Sequence, residues 1–198
     1  VDRPLVIKVA SISAARMQVY FIDNEDYFHR KQVYTDVDGN FFQDNDERAI
    51  FFARGILETV KKLRWAPDVI HCPGWISHLV PLYLKKAFKD DPIFSNSKVV
   101  LSIYDEDCRG KFQADFADKI ATGGITREDV PFLAEPDGIN LAKTAAMYSD
   151  AVIMCGAGID AGLGEYCKSL GKPVLPYNEE SLINGSYIDE YNSFYDQL

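Results

Sequence analysis

Pro67-Asp-Val-Ile-His71-Cys-Pro-Gly-Trp75 is the stretch on which the reading of this chain turns. Asp68 to Cys72 is a short apolar run with β-branched residues, and Pro73-Gly74 turns the chain into a second run, Trp75 to Phe88, at helical spacing. A buried strand that passes through a tight turn into a helix is the repeating unit of a parallel sheet. Pro81, inside the second run, predicts a kink.

The same alternation continues on both sides. Upstream, Asp44 to Leu63 places Ile50, Ala53, Leu57 and Val60 at helical spacing, with Asp44 or Asn45 available as the cap and Lys61, Lys62 and Arg64 at the C-terminal end. Downstream, strands are expected at Lys98–Ile103, Ala151–Cys155 and Pro173–Tyr177. Helices are expected at Gln113–Ile120, at Asn140–Ser149 with Asn140 or Asp137 as cap, and at Ala161–Leu170. Thr122 to Gly138 reads as a loop with one short turn of helix at most, and the tail from Glu179 to Leu198 as helix docked at the domain edge. Ahead of all this, Leu5–Ile12 and Met17–Ile22 are two β-rich runs joined by a short Ala14-Ala15-Arg16 link, which predicts an antiparallel pair. A polar, aromatic loop spans Asp23 to Gln43. The order predicts an α/β fold: a Rossmann-like three-layer sandwich with a mostly parallel sheet, helices on both faces and an N-terminal antiparallel strand pair. One domain over residues 1–198 accounts for it.

Composition narrows the function. The 198 residues are 47% hydrophobic and 26% charged, an ordinary globular balance. The formal net charge of −9 disfavours nucleic acid and anionic membrane as partners, because both need a basic face. No apolar run approaches the ~20 residues of a membrane span. Cys72, Cys108, Cys155 and Cys167 form no C-x-x-C pair, which points to reduced thiols and a cytoplasmic protein. The first residue is Val1, so the natural start is expected upstream.

In open parallel sheets ligands bind at the carboxyl ends of the strands. That rule selects His71 to Trp75, Tyr104-Asp105 and Gly156-Ala-Gly158, with the Asp23-Asn24 loop as a fourth candidate. His71 at a strand end either donates to a substrate hydroxyl or satisfies loop carbonyls. Trp75 offers a stacking face for a sugar, or a core indole. The Gly156 turn has the context of a dinucleotide site, with Glu179 at the spacing of a ribose-binding acid. The other reading is a glycine turn that starts a helix, and little chain remains for a nucleotide half-sheet. His29 and His78 show no metal-ligand spacing with each other or with His71, and neither metal nor cofactor is expected. The acidic run Asp105-Glu106-Asp107 reads as a solvated loop.

Several segments, in order, resemble a known family. Tyr20-Phe-Ile-Asp23 with Tyr27, Arg30 and Tyr34 is similar to the loop "Y-x-I-D-x-x-x-x-Y-x-R" of the glycogen/starch synthases. Asp44-Asn45 and Arg48 resemble the "D-N-x-x-R-F" that follows. Pro67 to Trp75, then Leu79 to Leu84, resembles "P-D-V-V-H-x-H-D-W-H-x-x-L-x-P-x-Y-L". Lys98 to Asp105 with Gly110 and Phe112 resembles "K-x-V-x-T-V-H-N-x-x-Y-Q-G-x-F", and Tyr148-Ser-Asp150 the segment before "V-S-P". The resemblance implies the acceptor-side half of a retaining two-domain (GT-B) glucosyltransferase, which passes glucose from ADP- or UDP-glucose to an α-1,4-glucan. It implies Asp23, His71, Trp75 and Tyr104 as substrate-binding positions. It also exposes departures. Gly74 stands where the family has an aspartate, Tyr104 where it has the catalytic histidine, Pro73 and Ile76 where it has two further histidines. The family's lysine-glycine-glycine strand and its donor domain have no counterpart here. The expectation is therefore a domain that binds α-glucan and is not active alone, or a non-catalytic glucan-binding or regulatory protein on the same fold. Self-association as a homo-oligomer stays open.

Overall fold

Alternate residues of Lys98–Ile103 show how the molecule is layered. The computed structural model describes residues 3–198. In it, Val99, Leu101 and Ile103 enter the main apolar core, while Val100 lies on the opposite face with Ala151 and Ile153. A strand apolar on both alternations is one covered on both sides.

The strands are β1 (Val6–Ile12), β2 (Met17–Asp23), β3 (Val69–Pro73), β4 (Lys98–Ile103), β5 (Ala151–Met154) and β6 (Val174–Leu175). The helices are α1 (Glu25–Phe28), α2 (Asn45–Leu63), α3 (Val80–Lys86), α4 (Phe116–Ile120), α5 (Gly138–Tyr148), α6 (Ala161–Ser169), α7 (Glu179–Asn184) and α8 (Tyr187–Tyr195). β3 to β6 form one parallel sheet in chain order. When right-handed crossovers all step in one direction, their helices fall on one face. Accordingly Leu57 of α2, Leu82 of α3, Leu141 of α5 and Leu163 of α6 share a single core with Val99 and Leu101. Each such side chain contributes about 1.5–3 kcal/mol on full burial.

The second face is covered by the tail. Phe194 of α8 is buried against Val100, Ala151 and Ile153, with Tyr191 and Tyr195 beside it. The tail is helical as expected, but it lies across a sheet face instead of at the domain edge, because that face has no crossover helix to cover it. β1 and β2 form the expected antiparallel pair, as a separate two-stranded ribbon with Ile7 opposite Ile22. One side of the ribbon leans on α2, where Ile22 packs against Gly55. The other side leaves Val6, Ile12, Met17 and Phe21 exposed.

Three local expectations are corrected. Neither Asp44 nor Asn45 caps α2 with its side chain. The Asp44 carboxylate is held by Arg30 at 2.8 and 2.5 Å, and Asn45 bonds the Tyr34 carbonyl and Arg48. Asp46 and Glu47 supply the negative charge of the first turn. The run Trp75–Phe88 is not one kinked helix: Trp75–Ser77 is a 3-10 turn, and α3 starts afresh at Val80. Pro81 sits in the first turn of α3, where its missing N–H leaves no bond unmade. Thr122–Gly138 holds two 3-10 turns, Arg127–Asp129 and Pro131–Ala134. Of the two caps offered for α5, Asp137 is the one used, accepting from the Asn140 amide at 2.8 Å. Among the described residues no helix is long and apolar enough to cross a membrane.

Candidate functional site

The carboxyl ends of β3, β4 and β5 lie side by side, and the loops after β3 and β4 meet around one buried carboxylate. Asp107, 1% exposed, sits in the 3-10 turn Asp105–Arg109 that follows β4. It accepts the Trp75 amide on Oδ1 and the Tyr104 amide on Oδ2, both at 2.8 Å. One side chain thereby ties the exit of β3 to the exit of β4. His78 faces it, fully buried, with Nε2 3.8 Å from Oδ2 and 3.2 Å from the Ser102 carbonyl. The His78 Nδ1 has no partner among the described residues. Burial holds His78 below the ordinary histidine range, and the Asp107 charge opposes that only in part.

Gly74 takes φ +78°, a conformation that favours glycine. A Cβ there would stand 3.9 Å from the Asp107 Oδ1. The position carries no side chain, and the carboxylate beside it comes from the loop after β4. Sequence reading missed Asp107 because an acidic run usually marks solvent. The available signal was the demand of two strand exits for an acceptor.

His71 lies on the second face of the sheet. Its Nε2 is 2.5 Å from the Ser102 hydroxyl and its Nδ1 2.7 Å from the Tyr195 hydroxyl. Both ring nitrogens are therefore engaged inside the chain, and burial lowers its pKa. Tyr104 is half-buried on the same face. Its phenol is pushed up to about 12, first by burial and then by Cys155. The Cys155 thiol lies 3.5 Å from the Tyr191 hydroxyl, and the Tyr191 ring meets His71 edge-on. His71 and Tyr104 are thus brought together, beneath α8.

Trp75 and Asp23 are elsewhere. Trp75 is 2% exposed, and its indole is packed against Tyr34, Phe41 and Phe112 at 4.8, 5.2 and 5.6 Å. It is a core residue whose ring faces are taken. Asp23 ends β2 and pairs with Lys8 at 2.5 Å and His29 at 3.2 Å. Arg48, buried, donates to the Tyr27 carbonyl and to Asn45, so Arg30, Asp44, Asn45 and Arg48 lace the Tyr27–Tyr34 loop to α2.

The glycine turn after β5 is filled by the chain itself. The Gly158 amide donates to the Asp105 Oδ1 at 2.9 Å. A Cβ at Gly156 would overlap the same carboxylate. Asp160 caps α6 at the Leu163 amide, and Glu179 is exposed in the first turn of α7. Two internal carboxylates stand where a dinucleotide would need room for pyrophosphate, so the turn serves to start a helix. No cluster of three or more potential metal ligands occurs among the described residues.

Burial of His71 and His78 has a measurable consequence. Both are held below the ordinary value near 6.5, so below that pH the unfolded chain takes up protons that the folded chain refuses. Stability from this source is complete above about pH 6.5 and falls as pH drops below it. The urea midpoint should be lower at pH 5.5 than at pH 7.5, and His71→Gln should flatten that slope. The lowered carboxylates Asp23, Asp44 and Asp129 act only at more acid pH.

A parallel sheet covered on both faces, with candidate residues at its strand exits, makes this a Rossmann-like α/β domain. The starch synthase catalytic domain family matches residues 2–159, and the chain belongs to that family. It is a glycogen/starch synthase-like domain. The glycogen synthase of Chlorobium phaeobacteroides is 30% identical over 206 aligned positions, covering 98% of this chain and 40% of that protein. The glycogen synthase of Chlorobium limicola is 33% identical over 147 positions, covering 74% and 29%. The chain thus spans well under half the length of these relatives. The catalytic domain of starch synthase IV from Arabidopsis thaliana, bound to ADP and acarbose, superposes with a TM-score of 0.62 at 16% identity. That match covers 87% of this chain and 36% of the other.

Proposed function

We propose that this chain is the acceptor-side domain of a glycogen/starch synthase-type system, which holds α-1,4-glucan and does not transfer glucose from ADP- or UDP-glucose alone. The observation that carries this reading is the pair Gly74 and Tyr104 at the exits of β3 and β4. By the family resemblance these positions carry an aspartate and a histidine. Here one has no side chain, and the other carries a phenol held neutral by burial. Transfer needs positive charge and fixed donors around a leaving diphosphate. The loop after β4 carries Asp105, Glu106 and Asp107 instead, of which Asp105 and Asp107 are engaged by backbone amides and Glu106 is exposed. A donor-side domain would have to complete the cleft. Four free cysteines suit a reducing, cytoplasmic setting.

The test is incorporation of labelled glucose into glycogen by the isolated chain, with ADP-glucose and UDP-glucose in turn, beside co-sedimentation of the chain with glycogen. Incorporation at the level of the protein-free blank, with co-sedimentation, is the expected result. Incorporation above the blank would show that Gly74 and Tyr104 are compatible with transfer. Failure to co-sediment would remove the glucan from the proposal.

A further inference from the structure

The helices on the two faces of the sheet are held in different ways. α5 is built in, with Leu141, Ala142, Ala145 and Ala146 each fully buried. The tail is laid on. Among the described residues, no backbone hydrogen bond and no ion pair joins residues 179–198 to the chain before Asn178. Phe194 is the buried residue of α8, while Ile183 and Ile188 are exposed. An element with so little buried attachment opens more readily than the fold as a whole.

What does hold α8 lies at the strand exits. The Tyr195 hydroxyl is 2.7 Å from the His71 Nδ1, and the Tyr191 hydroxyl 3.5 Å from the Cys155 Sγ. Among the described residues these are the side-chain hydrogen bonds that tie α8 to the sheet. The Tyr191 ring closes edge-on over His71 at 6.3 Å, and Tyr104 stands beside Cys155. α8 thus brings two hydroxyls and two aromatic rings to the groups that a bound sugar would need. A ligand hydroxyl both donates and accepts, so it can replace either phenol and leave neither His71 nor Cys155 unpaired. In hydrogen bonds the exchange is close to neutral. The contact of Phe194 with Val100, Ala151 and Ile153 is not replaced, and it keeps the covered form in the majority.

We propose that α8 is a detachable cover over His71 and Tyr104, an internal competitor that α-glucan displaces. The identity of the ligand rests on the proposed function, whereas the weak attachment of the helix does not. Apparent affinity for glucan is lowered in proportion to the fraction of molecules whose cover is open. A change that loosens α8 without touching His71 or Tyr104 therefore raises it.

Hydrogen exchange of the full chain, with and without maltohexaose, tests the cover. In the free protein the amides of α8 should exchange faster than those of α5. Tyr195→Phe should speed α8 about fivefold, the ordinary worth of one neutral hydrogen bond, and leave α5 unchanged. Maltohexaose should speed α8 further, where a ligand that merely docked beside the helix would slow it. Affinity for maltohexaose should rise about fivefold in Tyr195→Phe. Exchange of α8 in step with α5, slower exchange of α8 with maltohexaose, or equal affinity in the parent and Tyr195→Phe would each overturn the cover. Binding by neither protein, with α8 still opening on its own, would overturn the proposed function and the competition with it.

Discussion

Gly138→Ala is expected to destabilise the chain by on the order of 4 kcal/mol, enough to leave little of it folded. Gly138 opens α5, where alanine is the better helix former by about 1 kcal/mol. Propensity alone therefore predicts the opposite sign. Packing decides against it. A Cβ at this position would overlap the backbone carbonyl oxygen of Asp107 and stand 3.1 Å from the Gly110 amide nitrogen. The Gly138 amide also donates to the Gly110 carbonyl at 2.7 Å, so the two segments are drawn together where the methyl would need space. Backbone cannot swing aside as a long side chain can. Urea denaturation of the two proteins settles the matter, since equal or greater stability in the variant would mean that the loop after β4 yields easily.

That loop should not yield, and the second prediction says why. Asp107→Ala is expected to cost on the order of 3–4 kcal/mol. It strands the Trp75 and Tyr104 amides without an acceptor and leaves His78 facing an empty space. Each buried donor left unmade costs about 1–3 kcal/mol. The exits of β3 and β4 should loosen together, which near-ultraviolet circular dichroism would report through Trp75. A variant as stable as the parent, with the Trp75 signal kept, would show that the carboxylate does not tie the two exits. Asp107→Asn should fall between the two, because it keeps one acceptor oxygen and turns an NH₂ toward a backbone N–H.

The layer architecture was legible because its signals are local and redundant. Lys98–Ile103 is a continuous β-branched and apolar run bounded by polar residues, and the strand has those limits. Ala151–Met154 and α5 followed from the same kind of pattern. Trp75–Phe88 was misjudged in form because apolar periodicity does not distinguish a 3-10 turn followed by a short helix from one long helix. The place of the tail was misjudged for a topological reason. Strand order sets which face lacks helices, and strand order is not written in any single segment.

The site was less legible than the fold. The strand-end rule pointed to one edge of the sheet, where His71 and Tyr104 lie in one neighbourhood. It could not say that Trp75 faces the other layer, since that depends on the parity of a residue just past the end of a strand. Nor could it separate Asp107 and Asp105 from Glu106, which is exposed, in a run of three like charges. Burial of a carboxylate follows from which amides it meets, and those amides belong to residues dozens of positions away.

The Asp105 carboxylate lodged over Gly156 also limits how this sequence can drift. Alanine at 156 alone collides with a side chain fixed by the Gly158 amide, and shortening Asp105 alone leaves that amide bare. Made together, the two changes relieve the collision, so their effects on stability should be far from additive. The two positions form an epistatic pair: filling the glycine turn displaces the Asp105 carboxylate from the Gly158 amide, a loss that disappears once the aspartate fifty-one residues before it has been given up.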